Sequence, residues 1–316
     1  MKIQNMKKIT TALLLTFITT SVTFSQEYGC FDFIWEGSTV GDRFIPKVAL
    51  NVPVTVDDLP HAFTMQLDLG AVTTELYGNS FKPYIDAYPA LAEKIDSSKT
   101  FTINGEKNVK FAEMKLKMGQ VEFENINIGL YAGYGNPLTA DSIKTKNSKH
   151  IGTIAPDLFQ DKILIIDYPN KRICLYEELP NEYSNLDFQD MLLENGRIML
   201  PFNIDDKDEM LMFDTGSSIF SLLTVKNNAK LISDGKIADS LIVNSWGNAL
   251  PVYGSKLTID VKFGSRSLPT ELVYFLDNPQ FEAGFKQMGI WGITGNAYFS
   301  SNTIIIDYRN KKIAVK

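Results

Sequence analysis

Two aspartates stand out by what surrounds them. Asp214 opens the run Asp214-Thr215-Gly216-Ser217-Ser218, and Leu211, Met212 and Phe213 lead into it. Asp68 opens Asp68-Leu69-Gly70-Ala71, after the alternating Phe63, Met65 and Leu67. A carboxylate at the end of an apolar strand, followed by a glycine that lets the backbone turn back on it, is held in one place. Two such carboxylates a few ångströms apart cannot both ionise cheaply, so they share one proton at mildly acidic pH. The ionised one can take a proton from water while the protonated one donates to a carbonyl oxygen. That is general acid–base chemistry suited to hydrolysis.

The elements that would carry the two turns are themselves repeated. Gly152 to Cys174 aligns without a gap on Gly292 to Ala314 at an offset of 140, with 9 identities in 23 positions, among them Phe159/Phe299, Asp167/Asp307 and Tyr168/Tyr308. The aspartate turns lie 146 apart. Between these anchors, Met114, Leu116 and Met118 stop at Gly119, and Ile259, Val261 and Phe263 stop at Gly264, 145 further on. Collinear anchors at nearly constant offset mean two copies of one unit.

Period-two alternation in 109–118, 121–130 and 257–263 predicts a mainly β chain. Asn104-Gly105 and Trp246-Gly247-Asn248 read as hairpin turns at equivalent places. The helices expected are few, over 84–95 and 225–237. Lys2, Lys7 and Lys8 before the apolar stretch 9–24 read as a secretory signal peptide over 1–25, shorter than a membrane span. The division that follows is a first β unit over 26–178, a polar linker over 179–190 and a second β unit over 191–316.

With both turns and the duplication in view, the sequence resembles the pepsin-like (and retropepsin-like) aspartic proteases, whose paired carboxylates are a standard case of the shared proton. Trp291-Gly292-Ile293-Thr294-Gly295 adds to the resemblance as the apolar-apolar-Gly element near the end of that family. The resemblance implies a bilobal fold of two β lobes, each giving one aspartate, Asp68 or Asp214, to a central cleft. It makes Gly70, Thr215, Gly216 and Ser217 supporting residues, with the Thr215 hydroxyl locking one turn to the other and the Ser217 hydroxyl bonding Asp214. It implies no metal and no cofactor, and a polypeptide substrate taken by an exported monomer. Leu69 stands where the family has Thr, and Ala155 where the first copy would have Gly. The first hairpin, near Ile103-Asn104-Gly105, lacks the tyrosine that pepsin-like flaps place over the substrate. Export would bring Cys30 and Cys174 to an oxidising compartment, where a bridge between them is one outcome and two separate thiols the other.

Composition limits the alternatives. With 31 Lys and Arg against 37 Asp and Glu, a net charge of −6 and no basic run, the chain is a poor nucleic-acid binder. Two cysteines and two histidines, His61 and His150, argue against a zinc module, and both histidines read as surface residues. Asp167 and Asp307 read as turn residues. A Ser-His-Asp triad has no support in the spacing. A non-catalytic protein that holds an extended peptide or other ligand on the same scaffold is the competing reading, favoured by Leu69 and Ala155.

Overall fold

A computed structural model describes residues 27–103 and 105–316. The signal peptide expected at 1–25 and Asn104 of the first hairpin turn lie outside the described residues. The described residues are mainly β, in three sheets of eight, ten and six strands with short helices between them.

The two halves repeat the same strand arrangement around each aspartate turn. In the first, Phe63–Leu67 runs parallel to Lys149–Ile154, which pairs antiparallel with Glu75–Tyr77. In the second, Lys207–Phe213 runs parallel to Gly292–Thr294, which pairs antiparallel with Leu223–Val225. Each aspartate turn therefore arches over the end of the strand lying between its own flanking strands. The same bond fixes both turns in register: Asp68 N–H donates to the Ile154 carbonyl and Asp214 N–H to the Thr294 carbonyl, both at 2.9 Å.

The six-stranded sheet joins the halves. Ile163–Asp167 pairs antiparallel with Thr303–Asp307, and Ile165 sits directly opposite Ile305, its own counterpart in the repeat. That register is the one a two-fold axis through this pair produces. Both strands are nearly continuous apolar runs because both faces are covered. Leu164, Ile166, Ile304 and Ile306 face the main core. Ile163, Ile165 and Ile305 face Leu179, Tyr183, Leu186 and Phe188. The segment read as a polar linker, 179–190, lies on the sheet, and its last residues, Gln189–Asp190, form the outermost strand. At the opposite edge Cys30 lies across from Cys174 and is bonded to it, with Cα atoms 4.1 Å apart.

Two helices differ from expectation. The first starts earlier, Gly78–Ala87, and breaks at Tyr88, which precedes Pro89 and is forced out of helical backbone, before a last turn Pro89–Glu93. The second ends at Ile232, and Ser233–Ser245 is strand; Ser-Asp-Gly has little helical preference and Gly235 adopts φ +71°. Asp167 and Asp307 each cap their own turn, accepting from the N–H and side-chain amide of Asn170 and Asn310.

Candidate active site

The two turns meet. The Asp68 and Asp214 carboxyls face each other within hydrogen-bonding reach. Each is gripped by its own turn. Asp68 Oδ1 accepts from the N–H groups of Gly70 and Ala71, both at 3.0 Å. Asp214 Oδ1 accepts from those of Gly216 at 2.7 Å and Ser217 at 3.2 Å. Each glycine also backs onto the opposite carboxyl. A Cβ on Gly70 would lie 2.5 Å from Asp214 Oδ1, and one on Gly216 2.6 Å from Asp68 Oδ2. Any side chain at either position would push the carboxyls apart.

Thr215 ties the turns together from one side only. Its buried hydroxyl accepts from Leu69 N–H at 2.9 Å and donates to the Leu67 carbonyl at 2.7 Å. Leu69, fully buried in the main core, contributes packing instead of a return bond. The expected bond from the Ser217 hydroxyl to Asp214 is replaced by one from its backbone N–H, and Ala71 N–H does the same for Asp68. Residue type at this position therefore does not distinguish the two carboxyls.

Their surroundings do. Burial pushes both acids above the ordinary carboxylate range, Asp68 further because it faces Asp214. Asp214 is held lower first by its hydrogen bond with the Asp68 carboxyl and then by the backbone N–H groups of Gly216, Ser217 and Gly70. The two carboxyls share one proton as a coupled pair.

The departure at Ala155 also has a local explanation. Its counterpart Gly295 leaves no room for a Cβ, which would run into the Ser217 carbonyl. Gly295 N–H donates to the Phe220 backbone carbonyl, whereas Ala155 N–H donates to the Thr74 hydroxyl at 3.0 Å. A side-chain oxygen thus stands in for a backbone one, and the buried methyl of Ala155 fits. Thr74 is in turn braced by Asp157, which accepts from its N–H at 2.9 Å and its hydroxyl at 2.6 Å. Beside this brace Glu75 is buried with Oε1 unpartnered, and burial together with the Asp157 charge pushes it up to about 8.

A cleft of about 490 Å³ opens over the carboxyls. Gln66, Tyr77 and Tyr134 line it from the first half, and Phe220, Leu223 and Leu276 make an apolar wall from the second. Sequence reasoning missed Tyr77, Tyr134, Glu75 and Asp157; each lies on a strand or turn whose face only the tertiary structure reveals. Both histidines, expected at the surface, are partly exposed, and each packs on aromatic rings. His61 packs among Phe63, Tyr84 and Tyr88, its Nε2 2.8 Å from the Tyr88 hydroxyl. His150 packs on Tyr77 with Nδ1 buried and unpartnered. Among the described residues no group of His, Cys, Asp and Glu is placed to hold a metal ion, and no helix is long and apolar enough to cross a membrane. The chain matches no protein-family model and no curated protein.

Proposed function

We propose that the chain is an aspartic endopeptidase built as two pepsin-like β lobes. The observation that carries this reading is the pair of facing carboxyls, each gripped by its own turn and backed by the glycine of the other. Asp214, ionised, takes a proton from a water held between the carboxyls. The oxygen of that water attacks the peptide carbonyl carbon while Asp68 donates its proton to the carbonyl oxygen. In the resulting diol the C–N bond breaks as the amine takes the proton that Asp214 gained, and the diol returns a proton to Asp68. Both carboxyls come from one chain, so no second copy is needed. The Cys30–Cys174 bond supports export to an oxidising compartment.

Digestion of a denatured protein at mildly acidic pH tests the proposal. Wild type should cleave, a pepstatin-type inhibitor should stop it, and Asp214→Asn should be inactive. A wild type that cleaves nothing from acid to neutral pH sinks the enzyme reading. It would leave the binding-protein reading, which the one-sided Thr215 tie and the buried Leu69 favour.

A further inference from the structure

In the resemblance the flap over the cleft belongs to the first-half hairpin, Ile95–Ile103 with Glu106–Met118. None of the described residues of that hairpin lines the cleft. The second-half hairpin, Ser233–Ser245 with Asn248–Leu257, does so through Ile242 to Trp246 and Leu250. Its tip crosses to the other half. The Trp246 ring lies 5.7 Å from Tyr134 and 6.2 Å from Tyr131, and Tyr134 packs edge-on against Tyr77 at 4.7 Å.

The tip conformation is unfavourable for the residue that occupies it. Trp246 and Gly247 have φ +50° and +85°, the left-handed pair of a two-residue hairpin turn, where Asn or Gly is preferred at the first position. The first-half hairpin has Asn-Gly there. A bulky ring held in a disfavoured backbone conformation points to a role other than making the turn. The base of the hairpin, by contrast, is pinned. Asp239 accepts from Arg43 of the first half at 3.0 Å and from the Tyr274 hydroxyl at 2.7 Å. Register breaks lie between Ser233 and Asp239, and from Asp239 to the tip the ladder is unbroken. The part beyond Asp239 is a stiff arm with a pinned root and a tip held by ring contacts.

The structure assigns the cover of the cleft to this second-half hairpin, with Trp246 as the latch that closes it on Tyr131 and Tyr134 over an extended peptide. The peptide follows from the walls. Ser38 to Val40 belong to the outermost strand of the eight-stranded sheet, and Ile242 to Ser245 to the outermost strand of the ten-stranded one. Each strand carries backbone donors and acceptors without a ladder partner on one side, which an extended main chain can meet. The apolar wall of Phe220, Leu223 and Leu276 suits a bulky apolar side chain. The assignment rests on reading the cleft as a peptide site, not on catalysis there.

The test uses a heptapeptide with a non-cleavable reduced bond between central Phe and Leu, followed by stopped-flow binding and hydrogen exchange. Trp246→Ala should speed dissociation about 10-fold, the weight of one or two aromatic contacts, without slowing association. Trp246→Phe should restore most of the loss. The peptide should protect backbone amides in 240–250. Unchanged dissociation in Trp246→Ala, or protection confined to 95–118, overturns the assignment. If wild type cleaves substrates yet 240–250 ignores the peptide, this inference falls and the protease reading stands. If nothing is cleaved but 240–250 is protected, the protease reading falls and the cover stands.

Discussion

The Thr215 hydroxyl crosses between the two turns to bond the backbone on either side of Asp68, and Leu69, its counterpart, sends nothing back. One hydroxyl therefore makes both of the side-chain-to-backbone bonds that Thr215 sends across to the first turn. Thr215→Val keeps the shape and removes both bonds, leaving the buried Leu69 N–H and Leu67 carbonyl without this partner. We expect a loss of about 2–3 kcal/mol, read as a shift in the denaturant midpoint at constant slope.

Restoring symmetry at Leu69 should not help. The side chain is fully buried in the main core, so Leu69→Thr removes apolar packing and buries a hydroxyl. A destabilisation of about 2 kcal/mol is expected, with no gain in cleavage. A rise in melting temperature would show instead that the new hydroxyl finds the opposite backbone.

In the mechanism proposed above, the productive state pairs ionised Asp214 with protonated Asp68. Activity should rise as pH passes the lower apparent pKa of the pair and fall as it passes the upper one, both displaced above the ordinary carboxylate range by burial. Asp68→Asn and Asp214→Asn should each cost about 10²–10⁴ in kcat. Because Asp214 is bonded by Ser217 through the backbone, Ser217→Ala should leave the acid limb in place; an acid limb that moves would restore a role for the hydroxyl.

Glu75 sets a second pH dependence, in stability. Its folded-state pKa is raised from 4.5 to about 8, so the folded state binds more protons than the unfolded one between those values. Its contribution is intact below the unfolded value and is lost as pH rises through the folded one. Glu75→Gln removes that loss. The variant should gain on wild type progressively from pH 5, by about 3 kcal/mol at pH 7, with little difference at pH 4. Parallel stability curves for the two proteins would count against a buried, raised Glu75.

Reducing the Cys30–Cys174 bond opens a loop of 144 residues. The chain-entropy estimate for that loop is roughly 5 kcal/mol. Thermal unfolding with and without reductant, and of the Cys30→Ala/Cys174→Ala double variant, checks it; equal midpoints would show that the bond constrains little.

What could be read from the sequence was what repeats or recurs at short range. The mainly β class followed from period-two runs, and the duplication from a gapless 23-residue match. The turns at Asp68 and Asp214 are short motifs whose glycines have one physical reason to be there. What escaped depends on where a group points or what it meets far away. Ser217 offers both a hydroxyl and an N–H, and only the turn's backbone decides which reaches Asp214. Glu75 and Asp157 are 82 positions apart, and nothing local marks them as neighbours. Trp246 reads as an ordinary hairpin tip until Tyr131 and Tyr134 are brought beneath it. The segment 179–190 is polar enough to pass for a tether, yet its few apolar residues are the ones that lie on the central sheet.

The pairing of Ile165 with Ile305 sets a kinetic order on the molecule. Local hairpins such as Ser233–Leu257 can close as soon as their own strands exist, but the central sheet must bring together residues 140 positions apart. Contacts of that range are slow to form, and until they form, the Ile163–Asp167 edge lies open to wrong partners. The first half, made earlier, can close its own sheet and the Cys30–Cys174 bond, but it then presents Asp68 with no second carboxyl to share its proton. Assembly of the pair is therefore a late, long-range event, and a partly folded chain carries a lone aspartate without its partner.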